Sequence, residues 1–392
     1  MIKRLSNEFN YSLFLPIFIF YLMSIGVQAI AADLDGVDVR RVILKQTIFC
    51  LVSFILLVVT SRIPVSTLLR YAPILYVLSL GLMALLYWFY DPAMYALTNT
   101  KRWLRIGSFS FQPSELMKLS FILFMVRLTV SYEMESSQKN LTRDLKSDLR
   151  YLVKIAMYSL PTFLLMFMQR DFGTSLVFIA ILGALFIIAG VHWKILTIIT
   201  GIGATLGSTL LVLVFSEWGN KLLYSLHFKT YQLDRVRAWI DPFQYSDTIA
   251  YQQVQSLYAI GSGGLFGRGI SGISVYVPVR ESDMIFTVVG EGFGFMGAAF
   301  VVFLYFYLFY QILSAALRTN NKANLYLAVA FVFGLMFQIF ENIGAAIGIL
   351  PLTGIPLPFL SQGGTSLIVL GIGLGVTMGF KKKELVMNKI KE

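Results

Sequence analysis

The segment Pro278-Val279-Arg280-Glu281-Ser282-Asp283 closes a dense polar stretch, and an apolar run begins directly after it. One carboxylate, Asp283, is thereby placed where a membrane helix meets water. Burial raises a carboxyl pKa, and a nearby cation such as Arg280 opposes that rise. Those surroundings can tune Asp283 as a base acting at the depth of a lipid headgroup. The same residues also suit a structural ion pair at a helix end, because structural pairs perturb pKa too.

Further polar residues sit where apolar runs start or stop. Glu115 and Lys118 open one run in Gln112-Pro113-Ser114-Glu115-Leu116-Met117-Lys118. Pro113 suits a helix start, and the i,i+3 spacing lets Glu115 and Lys118 pair on one face. Charged groups inside spans default to function, although an ion pair joining helices is the other reading. Lys101, Arg102 and Arg105 surround Trp103 in the preceding segment. Arginine offers paired donors to a pyrophosphate. Trp103 suits either stacking on a sugar or anchoring at the interface. Gln169-Arg170-Asp171-Phe172-Gly173-Thr174 reads as a tight turn, with Asp171 able to cap the next helix. Glu291 lies about two turns beyond Asp283, and Glu341 and Asn342 fall late in another apolar run.

The elements that must position these groups are membrane helices. Hydrophobic residues make up 57% of the chain and charged residues 14%, which excludes an ordinary soluble globule. Apolar runs fall near 12–32, 43–60, 73–90, 114–132, 152–168, 174–191, 195–215, 284–310, 323–349 and 364–380. They are continuous rather than alternating, so helices are expected instead of a barrel. The expected fold is an all-α integral membrane protein of about ten spans, with residues 1–392 as a single polytopic domain. The first run is too long and too lightly flanked for a cleaved signal peptide. Residues 216–283 break the pattern and read as a long external loop carrying short interfacial helices.

Orientation follows from the basic residues. With Lys3 and Arg4 in the cytoplasm, more than half of the 32 Lys and Arg fall on inner segments. Among them are Arg62, Arg70, Arg143, Lys146, Arg150 and Lys381-Lys382-Lys383. Both termini are therefore expected inside. The net charge of +11 reads as a topology and anionic-lipid signal, with no nucleic-acid partner. In this topology Arg102, Glu115, Lys118, Asp171, Asp283 and Glu341 all lie toward the outer leaflet, as around a cavity open there. The single Cys50 cannot form an intrachain disulfide. His192 and His227 are far apart, and no zinc-ligand spacing occurs.

Two glycine patterns invite structural readings. Gly261-Ser262-Gly263-Gly264-Leu265-Phe266-Gly267 lacks the dinucleotide fingerprint, since Phe266 stands where glycine is needed and no strand precedes it. It reads as turns at the interface. Gly371, Gly375 and Gly379 repeat at i+4, as in close helix packing.

The chain resembles the SEDS family (shape, elongation, division and sporulation proteins), and within it the RodA branch more than the FtsW branch. The resemblance rests on Arg102-Trp103 with Gln112-Pro113-Ser114-Glu115, on Gln169–Thr174, and on Tyr251-Gln252-Gln253 with Gln255-Ser256 leading into Ala259–Gly267. It continues through Ser282–Phe286 and through Asn342 to Leu350-Pro351-Leu352-Thr353-Gly354-Ile355-Pro356-Leu357-Pro358-Phe359-Leu360-Ser361-Gln362-Gly363-Gly364. These runs occur in order over nearly the whole chain. Departures are Ser282 where Thr is common, Gly292 where a second acid often follows Glu291, and Arg170 where Pro is frequent.

The resemblance implies a ten-helix peptidoglycan glycosyltransferase that polymerises lipid II outside the cytoplasmic membrane. It implies a class B penicillin-binding protein as partner, alongside other membrane proteins of the elongation complex. The family's essential acid falls on Asp283. The expected chemistry is inverting transfer, with Asp283 as general base. Arg102, Lys118 and Arg280 are expected to stabilise the departing undecaprenyl pyrophosphate, with Trp103, Glu115 and Asp171 in the substrate site. A divalent cation, Mg or Mn, could share that task, though no dedicated metal site is visible. A lipid II flippase and a non-catalytic scaffold are the alternatives. A flippase should carry polar residues through the midplane, and inverted repeats are not evident.

Overall fold

The computed structural model describes residues 11–98, 100–107, 109–138, 145–225 and 230–380. Lys3, Arg4, Arg143, His227 and Lys381-Lys382-Lys383 lie outside the described residues. The chain begins with α1 (Tyr11–Leu34), α2 (Val39–Thr60) and α3 (Val65–Leu85). A short α4 (Pro92–Thr98) and a hairpin of β1 (Leu104–Ile106) and β2 (Phe109–Phe111) lead into α5 (Pro113–Gln138). Next come α6 (Leu145–Gln169), α7 (Phe172–Ile188) and α8 (Trp193–Phe215). The segment 216–284 carries α9 (Glu217–Ser225), α10 (Thr230–Ile240) and α11 (Tyr251–Ser262). Finally α12 (Ile285–Arg318), α13 (Lys322–Ala346) and α14 (Gly364–Met378) complete the bundle.

Among the described residues, seven helices are long and apolar enough to cross a membrane: α1, α2, α3, α6, α8, α12 and α13. The shorter α7 and α14 are also apolar, and α5 is long but carries Glu115, Lys118, Arg127 and Glu133. The protein is an all-α integral membrane protein. Side chains such as Leu15, Leu22, Ile74, Phe167, Ile202 and Phe303 are more than half exposed, as expected where lipid replaces water. At the centre, α5 packs against α3, α7 and α13 and buries Met117, Phe121, Met125 and Val126 completely. Two spans start earlier than hydropathy suggests. α3 begins at Val65 and α6 at Leu145, because their first turns hold polar residues that a hydropathy window rejects. Buried Asp148 there accepts from the His192 N–H at 2.9 Å and the Tyr132 hydroxyl at 3.0 Å.

Backbone groups freed inside spans are repaired by side chains or loops. Pro73 lies within α3 and has no N–H for the Leu69 carbonyl. Arg127 of α5 donates there instead, at 2.9 Å, and to the Arg70 carbonyl at 2.6 Å. The glycine repeat of α14 lies on α2. A Cβ at Gly371, Gly375 or Gly379 would come within 2.6 Å of the Ser53, Leu57 or Ser61 carbonyl. Close approach also lets Ser53 donate to the Leu367 carbonyl at 2.6 Å.

The other glycine run does more than turn. α12 is broken at Gly294, whose backbone is left-handed (φ 65°, ψ −161°). The break strands carbonyls above it and N–H groups below it. Residues 264–269 take the missing places. Arg268 and Gly269 donate to the Glu291 and Gly292 carbonyls at 2.9 and 3.0 Å, and Phe295 and Met296 donate to the Gly264 and Leu265 carbonyls at 2.9 and 3.0 Å. Irregular backbone at membrane depth is tolerated only where protein satisfies it in this way. A Cβ at Gly263 or Gly267 would lie 2.0 or 2.2 Å from a carbonyl oxygen of α12. Glu291 completes the clasp by accepting from the Ser274 and Val275 N–H groups at 2.8 and 3.1 Å.

Candidate active site

Asp283 lies on the last turn before α12 and is half-buried. Its backbone is pinned by spans on several sides. Asn342 of α13 donates from one amide to the Asp283 carbonyl at 2.7 Å and the Ile355 carbonyl at 2.8 Å. Ser361 donates to the Ser282 carbonyl at 2.6 Å and accepts from the Leu357 N–H at 2.8 Å. Gln28 of α1 bridges the Glu281 and Leu360 carbonyls at 2.8 and 2.7 Å. Tyr305 donates to the Pro358 carbonyl at 2.5 Å. The loops 278–284 and 350–364 are thus stitched together by helical side chains, so the carboxylate is held on a rigid frame.

Asp283 faces a cavity of ≈ 610 Å³ together with Lys45, Arg102, Trp103, Arg235 and Glu281. Its carboxylate accepts from the Ser282 hydroxyl at 3.0 Å. Gly354, with φ +76°, leaves Asp283 room: a Cβ there would lie 3.2 Å from Oδ2. Burial pushes the Asp283 carboxyl above its ordinary range, while the Ser282 hydroxyl, Arg102 and Arg235 pull it down. Burial is the larger influence, which suits a carboxylate that must accept a proton.

The residues singled out in the sequence divide into groups. Asp283, Arg102 and Trp103 share the cavity. Asp171 is completely buried behind Arg102 at 3.5 Å and caps α7 through the Thr174 N–H at 3.3 Å. It orients the cation from behind rather than lining the cavity. Glu115 and Lys118 pair at 2.9 Å and line a small, mostly apolar neighbouring pocket of ≈ 50 Å³. Pro356 borders both spaces. Arg280 corrects the expectation of a cation turned toward Asp283. Its guanidinium pairs with Asp35 at 3.1 Å and donates to the Val275 carbonyl at 2.9 Å. The turn at Val279, with φ 55°, sends residues 280 and 283 to different spaces. Lys101 stacks over the Tyr87 and Tyr90 rings at 4.9 and 4.4 Å and is not among the residues lining the cavity. Glu341 accepts from the Thr353 hydroxyl.

Three charged cavity residues were missed by sequence reasoning. Lys45 had a faint signal, as a cation interrupting the second apolar run. Arg235 stands on α10 with its guanidinium 3.5 Å from the Thr353 carbonyl. Nothing in a long polar loop marks it out. Glu281 was passed over for its neighbour Asp283. Among the described residues, no group of three or more His, Cys, Asp or Glu side chains is placed to hold a metal ion.

Residues 8–384 match the family model FTSW_RODA_SPOVE, described as cell cycle protein. The chain is 31% identical over 358 residues to a probable peptidoglycan glycosyltransferase FtsW of Enterococcus hirae, covering 89% of this chain and 85% of that protein. It is 30% identical over 290 residues to stage V sporulation protein E of Bacillus subtilis, covering 72% of each. Among solved structures, it superposes on a chain from work on structural coordination of polymerization and crosslinking by a peptidoglycan synthase complex. There the TM-score is 0.75 at 24% identity, covering 94% of this chain and 96% of that one. It also superposes on the rod shape determining protein RodA of Thermus thermophilus, with a TM-score of 0.63 at 23% identity, covering 95% and 96%.

Proposed function

The chain belongs to the FtsW/RodA/SpoVE family of cell cycle proteins, and from that premise we propose that it is a peptidoglycan glycosyltransferase that polymerises lipid II. The carrying observation is Asp283, half-buried on a cavity wall with Arg102, Trp103 and Arg235. The acceptor is lipid II, whose GlcNAc 4-hydroxyl attacks C1 of the donor glycan. Asp283 takes the hydroxyl proton as the new C1–O bond forms. The old bond from C1 to the pyrophosphate oxygen breaks, and the configuration at C1 inverts. Arg102 and Arg235 stabilise the charge on the departing undecaprenyl pyrophosphate, and Asp171 holds Arg102 in place. Trp103 offers a face for a sugar ring.

We place the Asp283 end of the bundle outside the cytoplasmic membrane, with both termini in the cytoplasm, on the basic-residue bias. A class B penicillin-binding protein is the partner that would crosslink the product. The resemblance to the RodA branch drawn from the sequence favours work in cell elongation and shape. The test is polymerisation of purified lipid II by the purified chain with its penicillin-binding partner. Asp283→Asn should cut the rate about 10²–10⁴-fold with membrane level and partner binding retained. A well-folded Asp283→Asn protein that makes long glycan at the wild-type rate would overturn the assignment.

A further inference from the structure

A second polar cavity of ≈ 370 Å³ adjoins the first, and Gln28, Asp35, Tyr276, Glu281 and Gln362 are among its lining residues. Val42, Val279, Glu281 and Gln362 border both spaces, so Glu281 stands on the wall between them. The chemistry here differs from that around Asp283. Gln28 is 1% exposed, and both its N–H donors are used on the Glu281 and Leu360 carbonyls. Those two bonds fix which end of the amide is nitrogen. Its Oε1 is left buried without a protein partner, an acceptor that costs free energy unless a donor reaches it. The side cavity offers the carboxylates of Asp35 and Glu281 as acceptors.

The fixed charge decides what kind of donor belongs there. Arg280 pairs with Asp35 at 3.1 Å, which offsets one carboxylate. Among the described ion pairs, Glu281 has no cationic partner. Its carboxylate accepts from its own backbone N–H and stays within the influence of Asp35, Asp283 and Arg280. Asp35, Arg280 and Glu281 together leave one negative charge. That balance suits a monocation better than a divalent metal ion, whose second charge would go unmatched. The volume also suits an extended group rather than a bare ion.

We propose that this side cavity binds the ammonium-bearing peptide side chain of the lipid-linked substrate, with Glu281 as its counter-charge and Gln28 holding the Glu281 backbone in place. The proposal rests on the polymerase reading above and names the part of the substrate that sets specificity. A glycan destined for amide crosslinking must carry an amine, because an amide crosslink needs an amine nucleophile. The cavity lies beside the one that holds Asp283, within reach of a peptide attached to a sugar bound there. Burial holds the carboxyls of both Asp35 and Glu281 above their ordinary range, consistent with sites that gain from a cation.

The test compares two lipid II preparations, one with the peptide side-chain amine free and one with it N-acetylated, in the same polymerisation assay. Wild type should show a KM roughly tenfold lower for the free amine, with kcat much less affected. In Glu281→Gln the two KM values should converge. Asp35→Asn removes the partner of Arg280 and can disturb the loop, so Glu281→Gln carries the decision. Equal KM values in wild type, or a preference that survives in Glu281→Gln, would overturn the subsite. A Glu281→Gln defect cured by added Mg or Mn would overturn it in favour of a metal site. Polymer from either preparation upholds the polymerase reading independently. Failure to polymerise both would sink that reading and the subsite with it.

Discussion

Gly267→Ala gives a sharp test of the clasp that supports the upper half of α12. Gly267 has φ +82°, and a Cβ there would lie 2.2 Å from the Gly292 carbonyl oxygen and 2.6 Å from the Phe293 carbonyl carbon. These neighbours are backbone and cannot swing aside. Relieving the clash to the roughly 3.0 Å floor of real contacts moves the loop by most of an ångström. The nearby clasp bonds, Arg268 and Gly269 to α12 at 2.9 and 3.0 Å, would then stretch past bonding range. Each is worth about 1 kcal/mol net where water can substitute and several where it cannot. The left-handed backbone adds about 1–2 kcal/mol for alanine. The total is about 3 kcal/mol or more. Gly264→Ala is the control: φ is +55° and nothing lies within 4 Å of its Cβ, so only the backbone cost applies. Thermal unfolding of the detergent-solubilised protein should show a much larger loss for Gly267→Ala than for Gly264→Ala. Residues 285–293 follow directly from Asp283, so polymerisation should fall with it. Equal midpoints for the two variants would refute the clasp.

Three further outcomes are expected. Polymerisation should fall as pH drops through the raised Asp283 pKa, because only the ionised carboxylate accepts a proton. Arg235→Gln removes one influence that lowers that pKa, so the acid limb of kcat/KM should move to higher pH, and an unmoved or lowered limb would contradict the pairing. Arg127→Leu should cost about 1–3 kcal/mol by orphaning the Leu69 carbonyl. Pro73→Ala supplies an N–H for that carbonyl and should shrink the cost, and strictly additive unfolding energies would show that the two residues do not share it. In a Cys50-free background, an impermeant thiol reagent added to intact cells should label Val37→Cys but not Arg62→Cys. The reverse pattern would invert the proposed topology.

What the sequence made legible and what it hid follow a physical rule. Spans are visible because lipid imposes an apolar run of fixed length on each helix, and polar turns at helix ends, such as the first turns of α3 and α6, fell outside the windows. Asp283 was visible because it ends a polar stretch at a helix start. The i+4 glycines of α14 carried their packing role in their period. Arg102 and Trp103 were visible as cations and an aromatic against the topology trend, but Lys45, Arg235 and Glu281 were hidden, because their places beside Asp283 depend on the fold. Arg280 is three residues away and faces Asp35, while Arg235 is far off in the chain and acts on Asp283. Adjacency predicts contact on a regular helix, where direction is set by period. It fails across a turn such as the one at Val279, with φ 55°. The Gly261–Gly267 run shows the same limit. Its composition announces turns, but its purpose depends on a break at Gly294 that is itself only one more glycine in an apolar run. A glycine loop and a broken helix are each costly alone, since both leave backbone groups unpaired in a membrane. Together they cancel that cost through four hydrogen bonds. Such mutual repair cannot be seen in either segment separately. It lets the Asp283 carboxylate stand at the head of a half-helix fixed from the side rather than only from the span below.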